Sequence, residues 1–172
     1  MHLFNPGAEK KDSNLPEKQK KDAPNVRFPP PLVFLGFILL GRAGDTLFPL
    51  PTLQIAPELE WIGVGLIATG IAIVIVSLGL FSQAGENPEP WTESETIIAR
   101  GPYRHSRNPM YLGMAMLMLG FAFWQDSAGT LFFLPFAVLA IDRFVIRAEE
   151  IYLTRRFGKP YTDYLKKVRR WL

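Results

Sequence analysis

Two short polar clusters interrupt a strongly apolar sequence, and they hold most of the groups able to do chemistry. The first, Gly101-Pro102-Tyr103-Arg104-His105-Ser106-Arg107-Asn108-Pro109-Met110-Tyr111-Leu112-Gly113, runs straight into an apolar segment. Pro109 suits the first turn of a helix, where its missing N–H costs no hydrogen bond. The unpaired N–H groups of that helix start would then face the same small region as Arg100, Arg104 and Arg107, which makes an anion site. The arginines also read more simply, as charges that only fix orientation in a membrane. The second cluster, Arg147-Ala148-Glu149-Glu150, follows another apolar segment. Carboxylates there do nothing for orientation and sit at the negative end of a helix dipole. A local cost without local gain points to a functional site.

Other chemistries are excluded. The chain has no cysteine, and its two histidines are His2 and His105. A thiol nucleophile, a cysteine-ligated metal and a histidine-rich metal site are therefore ruled out, and no metal is expected. Gly63-Val64-Gly65 lies in an apolar run with the wrong spacing for a phosphate loop. No serine triad is available, because His105 is the one credible base. A net charge of +3 is weak ground for a nucleic-acid partner, and none is expected.

The elements that must position these clusters are apolar helices. Leu32–Leu50, Leu59–Phe81, Met110–Trp124 and Ala128–Ile146 form four apolar segments. Arg42 and Asp45 interrupt the first at a spacing that lets them pair on one helix face. Pro135 is expected to kink the fourth, and Asp142 and Arg143 near its end read as an isolated structural pair. A soluble four-helix bundle would show a polar face, yet Gly63–Leu80 contains no charged residue. The expected fold is therefore all-α, an integral membrane bundle of about four crossings whose main partner is the lipid bilayer. Only Gln125, Asp126 and Ser127 join the last two segments, so these form an antiparallel hairpin. That hairpin should return Glu149 and Glu150 to the arginines before Pro109.

The flanks differ from the core. Residues 1–28 are polar and of mixed charge, and are expected to be a disordered tail rather than a signal peptide. The domain proper is expected over 29–172. From about 148 to 170, apolar and aromatic residues interleave with seven Lys and Arg, and Gly158 and Pro160 divide the stretch. This suits an amphipathic helix at the membrane interface, with Lys166, Lys167 and Arg170 on a solvated basic tail.

At the two clusters the sequence resembles the isoprenylcysteine carboxyl methyltransferase and phospholipid methyltransferase superfamily of membrane enzymes. The residues that carry the resemblance are Arg107-Asn108-Pro109-Met110-Tyr111-Leu112-Gly113, then Glu149-Glu150, then Phe157-Gly158-Lys159-Pro160-Tyr161 and Tyr164, ending near Val168-Arg169-Arg170. It covers the chain from about Leu59 onward. Asn108 stands where many members have His, which points towards bacterial members and a bacterial inner membrane. The resemblance implies S-adenosylmethionine as methyl donor and a lipophilic methyl acceptor. It also implies donor binding by Gly101, Tyr103, Asn108, Pro109, Tyr111, Gly113, Glu149 and Glu150, with Arg104, Arg107 and Arg147 in the catalytic set. Adjacent helical residues point about 100° apart. One glutamate should therefore reach the donor's ammonium, with Glu150 expected in that role, while the other is balanced by Arg147 or Arg107.

Methyl transfer to a carboxylate needs positioning but no base, whereas an amine must first lose a proton. The absence of a good base favours an isoprenylcysteine-type carboxyl over an ethanolamine-type head group. The chain is also similar to sterol-type reductases that use NADPH, although Met110 stands where their motif has Asn. A non-enzymatic membrane adaptor is the third class.

Charge placement sets the topology. Of 19 Lys and Arg, all but Arg42 lie in the first 28 residues, in the Ser82–Pro109 loop or from Arg143 onward. With four crossings these regions share one side, which the positive-inside rule makes cytoplasmic. A reporter fused after Leu172 is expected to read cytoplasmic; a periplasmic signal would contradict the four-crossing arrangement.

Overall fold

The computed structural model describes residues 23, 24, 26, 28–48 and 57–172. The expected disordered tail falls mostly outside the described residues. Val26, which is described, is buried in the core with Phe34.

The architecture is all-helical. Helix α1 spans Pro30–Leu47, α2 spans Pro57–Ala84, and a short 3-10 turn at Gly101–Arg104 leads to α3, Pro109–Trp124. After the three-residue turn, α4 runs Ala128–Ile141 and passes through a π-helical turn, Asp142–Ile146, into α5, Arg147–Phe157. Gly158, at φ +60°, ends that rod, and α6 follows over Lys159–Lys167. The fourth segment is thus longer than expected, because nothing between Ala128 and Phe157 breaks the helix; even Pro135 lies inside α4. The amphipathic stretch over 148–170 is divided at Gly158, as expected; its first piece is continuous with the rod as α5, and its second is α6.

Among the described residues, three helices are long and apolar enough to cross a membrane: Pro30–Leu47, Glu60–Ala84 within α2, and the Ala128–Phe157 rod. The fourth apolar helix, α3, has 16 residues, or roughly 24 Å at ~1.5 Å per residue. Large apolar side chains such as Leu39, Ile75, Phe132 and Leu139 point outward. A helix apolar on its outer face belongs in lipid, which removes the soluble-bundle alternative.

Small residues let the backbones approach closely. Gly63 and Gly70 on α2 meet Gly120 and Gly113 on α3 in antiparallel register. A Cβ at Gly70 would sit 2.6 Å from the Gly113 carbonyl oxygen, and one at Gly120 2.6 Å from that of Gly63. On the other side, Gly41 of α1 packs against the backbone of Gly129 and Thr130. Asp45 fastens this second contact. Its carboxylate accepts from the Gly129 N–H at 2.7 Å and the Ser127 hydroxyl at 2.5 Å, and pairs with Arg42 at 3.5 Å. The expected Arg42–Asp45 pair is present, but Asp45 chiefly ties α1 to the hairpin turn.

These contacts separate two kinds of glycine. Gly113→Ala is expected to destabilise the detergent-solubilised protein by about 1–3 kcal/mol through overpacking. Gly36→Ala, which meets nothing within 4 Å, should be neutral or stabilising by up to about 1 kcal/mol. Thermal unfolding of both variants checks this, and equal midpoints would contradict the packing.

Candidate active site

The α3–α4 hairpin brings the two polar clusters together, as expected. Tyr111, in the first turn of α3, donates its hydroxyl to Glu149 Oε1 at 2.8 Å. Arg107, just before that turn, places Nη1 3.0 Å from Glu150 Oε1; the two side chains are 14% and 15% exposed. Local geometry sets the helix start. Pro109 is buried at the first helical position, the Asn108 N–H donates to Ser106 Oγ at 3.1 Å, and Leu112 N–H donates to the Asn108 carbonyl.

The C-terminal segment supplies a partner that the sequence reading places in solvent. Arg170 grips Glu150 bidentately, with Nε to Oε1 at 3.1 Å and Nη2 to Oε2 at 2.5 Å. Its Nη1 donates to Asp142 at 3.2 Å, and Trp171 Nε1 donates to Asp142 Oδ1 at 3.1 Å. Asp142 is therefore not paired with Arg143, which is exposed. The result is an alternating row: Asp142, Arg170, Glu150, Arg107. Donating hydrogen bonds to Glu150 raises the Arg170 pKa above its usual value, so the guanidinium stays charged.

The backbone of the same segment is fixed to the α3 start. Ser106 and Arg169 form a parallel bridge, and the Arg107 N–H donates to the Arg169 carbonyl at 2.9 Å. Asn108 Nδ2 donates to the Arg170 carbonyl at 2.9 Å. An amide suffices for that bond, so this position needs no titratable ring.

A cleft of about 850 Å3, open mouth included, lies beside the Glu150–Arg107 end of this row. Its walls come from the 87–98 loop, the end of α2, the start of α3, α5 and α6. All five tyrosines of the chain line it: Tyr103, Tyr111, Tyr152, Tyr161 and Tyr164. Two of them hold its walls. Tyr152 accepts from the Ser94 N–H at 3.1 Å, and Tyr164 donates to the Tyr103 carbonyl at 2.7 Å. Glu86 curls the same loop by accepting from the Glu95 and Thr96 N–H groups. Burial pushes the Tyr164 phenol up to about 12 and raises Tyr103 and Tyr161 further, so all three remain neutral O–H donors.

Among the described residues, four groups at or beside the cleft are left wanting a partner. No Lys or Arg among the described residues pairs with Glu149, whereas Glu150 has two arginines. Arg107 Nε is buried without an acceptor. The Tyr103 and Ser77 hydroxyls approach one another without hydrogen-bonding geometry, and neither has another partner.

Six of the expected site residues meet at this cleft: Tyr103, Arg107, Asn108, Tyr111, Glu149 and Glu150. Five do not line it. Arg104 and Arg147 are exposed, so Arg147 does not balance either glutamate. Gly101 makes a turn at φ +58°, Pro109 starts α3, and Gly113 packs on Gly70. Glu150, expected as the ligand contact, is the glutamate that pairs locally. The sequence reading missed Arg170, Asp142 and the 87–98 wall. A signal existed for the tyrosines, since all five lie near the two polar clusters or on the C-terminal stretch.

The model of the phospholipid methyltransferase family matches residues 59–160. An uncharacterised protein of Haemophilus influenzae is 36% identical over 63 residues, covering 37% of this chain and all of that protein. No solved structure matches the chain.

Proposed function

The chain belongs to the phospholipid methyltransferase family of membrane enzymes that use S-adenosylmethionine, and on that premise we propose that it methylates a carboxylate carried on a lipophilic acceptor, at the cytoplasmic face of the membrane. Membership sets aside the reductase and adaptor readings.

The residues present fit the donor. Its amino-acid end carries one ammonium and one carboxylate. Among the described residues, Glu149 is a desolvated carboxylate with no cation of its own, and Arg107 Nε and Tyr103 Oη are buried donors with no acceptor. Opposite demands of this kind, side by side, match a zwitterion. This juxtaposition carries the proposal. Glu149 would take the ammonium and Arg107 with Tyr103 the carboxylate. When bound, S-adenosylmethionine supplies an electrophilic methyl group on a sulfonium.

The chain's own residues then have three tasks. Tyr111 fixes the Glu149 carboxylate through its hydrogen bond. Phe81, Ile98, Met110 and Leu153 give the cleft an apolar lining suited to a lipophilic acceptor and to exclusion of water. Joining a cationic methyl donor to an anionic acceptor removes charge, and a dry site favours that.

The acceptor chemistry follows from what is left over. With Glu149 given to the donor and Glu150 held by two arginines, the remaining lining carboxylate is Glu89, which is exposed. Among the described residues, no His or Lys lines the cleft. No good base remains to deprotonate an amine, and a carboxylate needs none. The family's description supplies the second reading, an ethanolamine-type head group, with Glu149 taking the amine proton. Membranes incubated with methyl-labelled donor separate the two: lipid-borne label released by alkali is an ester, and label stable to alkali marks the amine.

Glu149→Gln is expected to weaken donor binding by about one to two decades, the equivalent of a charge-assisted hydrogen bond worth ~1.5–3 kcal/mol. Glu150→Gln should cost less, because Glu150 faces arginines rather than ligand. Equilibrium binding to solubilised protein checks the order; a larger loss at Glu150 would reverse the assignment.

A further inference from the structure

Arg170 lies beyond the residues that match the family model and does not line the cleft, yet it is held from several sides. Its guanidinium spans Glu150 and Asp142, and its carbonyl accepts from Ser106 and Asn108. We propose that Arg170 is a positioning residue: by occupying Glu150, it keeps Arg107 from closing on that carboxylate and leaves Arg107 Nε available to the ligand.

The geometry supports this division. Arg170 takes both Glu150 oxygens, whereas Arg107 reaches one of them with Nη1 alone. A guanidinium facing an open carboxylate prefers a two-point fork. Without Arg170, both Glu150 oxygens would be open, and Arg107 could turn its Nε–Nη2 edge onto them and satisfy its orphaned Nε there. The N–H that awaits a ligand acceptor would be consumed inside the protein. Charge points the same way. The row of Asp142, Arg170, Glu150 and Arg107 is neutral, so Glu149 alone calls for a cation. Losing Arg170 leaves a second unbalanced carboxylate and removes that selectivity.

The inference rests on the donor-binding reading above, and its test keeps the two apart. Equilibrium binding of S-adenosylmethionine to the full-length, detergent-solubilised chain is measured for the parent, Arg170→Ala, Glu150→Gln and the double variant, with thermal midpoints alongside. Arg170→Ala should weaken binding at least about fivefold, as members of one charged network couple. In the double variant Arg107 has no carboxylate to close on, so its affinity should return to within about twofold of Glu150→Gln alone. A tail that merely anchors the C-terminus would leave the double variant as weak as Arg170→Ala. Either that result or parent-like binding by Arg170→Ala overturns the latch while the donor site stands. Failure of the parent to bind donor overturns both. Should Arg170→Ala not fold, Arg170→Lys carries the same cycle, since an ammonium cannot cover both oxygens; its expected loss is about two- to threefold.

Discussion

A carboxylate taken out of water must find a cation or a dense set of donors, and this requirement organises the polar end of the molecule. Three carboxylates, Asp142, Glu149 and Glu150, come from one continuous helical rod. The cations come from elsewhere: Arg107 from the approach to α3 and Arg170 from the C-terminal segment. Neither arginine can be reached unless the α3–α4 hairpin closes and the chain after α6 folds back. Removing one partner of a fully buried pair costs about 3–5 kcal/mol. The cost here is smaller, because Arg170 is 36% exposed. Glu149 is outside this balance, with only the Tyr111 hydroxyl against it. The fold thus neutralises two carboxylates and, among the described residues, leaves the third without a cation.

Everything upstream serves to deliver those groups to one place. Close contact at Gly63–Gly120 and Gly70–Gly113 fixes α3 on α2, which sets the height at which Arg107 and Tyr111 emerge. Asp45 pins the opposite end of the hairpin to α1. The π-helical turn at Asp142–Ile146 sits between the apolar half of the rod and its charged half, a position where such turns often accompany function. It carries Asp142, to which Arg170 and Trp171 attach.

Much of this was legible in the sequence, and the reason is physical. A run such as Gly63–Leu80 has one plausible solvent, and a three-residue turn between apolar helices leaves one geometry. Proximity of Arg107 and Tyr111 to Glu149 and Glu150 follows from those two facts. What was not legible depends on distance along the chain. Arg170 reads as one more cation of a basic tail, since nothing local shows that Asn108 and Ser106 hold its backbone. Arg104 and Arg147 fail for the converse reason: they sit beside the site in sequence, but their helical phase turns them to solvent. Gly113 has a place in the family pattern, yet its surroundings here give it a packing role.

The central claim is that Glu149 is the carboxylate kept for a cationic ligand, and an experimental structure with S-adenosylmethionine bound tests it most directly. The account predicts the donor's ammonium nitrogen about 2.7–3.0 Å from a Glu149 oxygen, with Glu150 still shared by Arg107 and Arg170. An ammonium seated on Glu150, with either arginine displaced and Glu149 still bonded only to Tyr111, would contradict it.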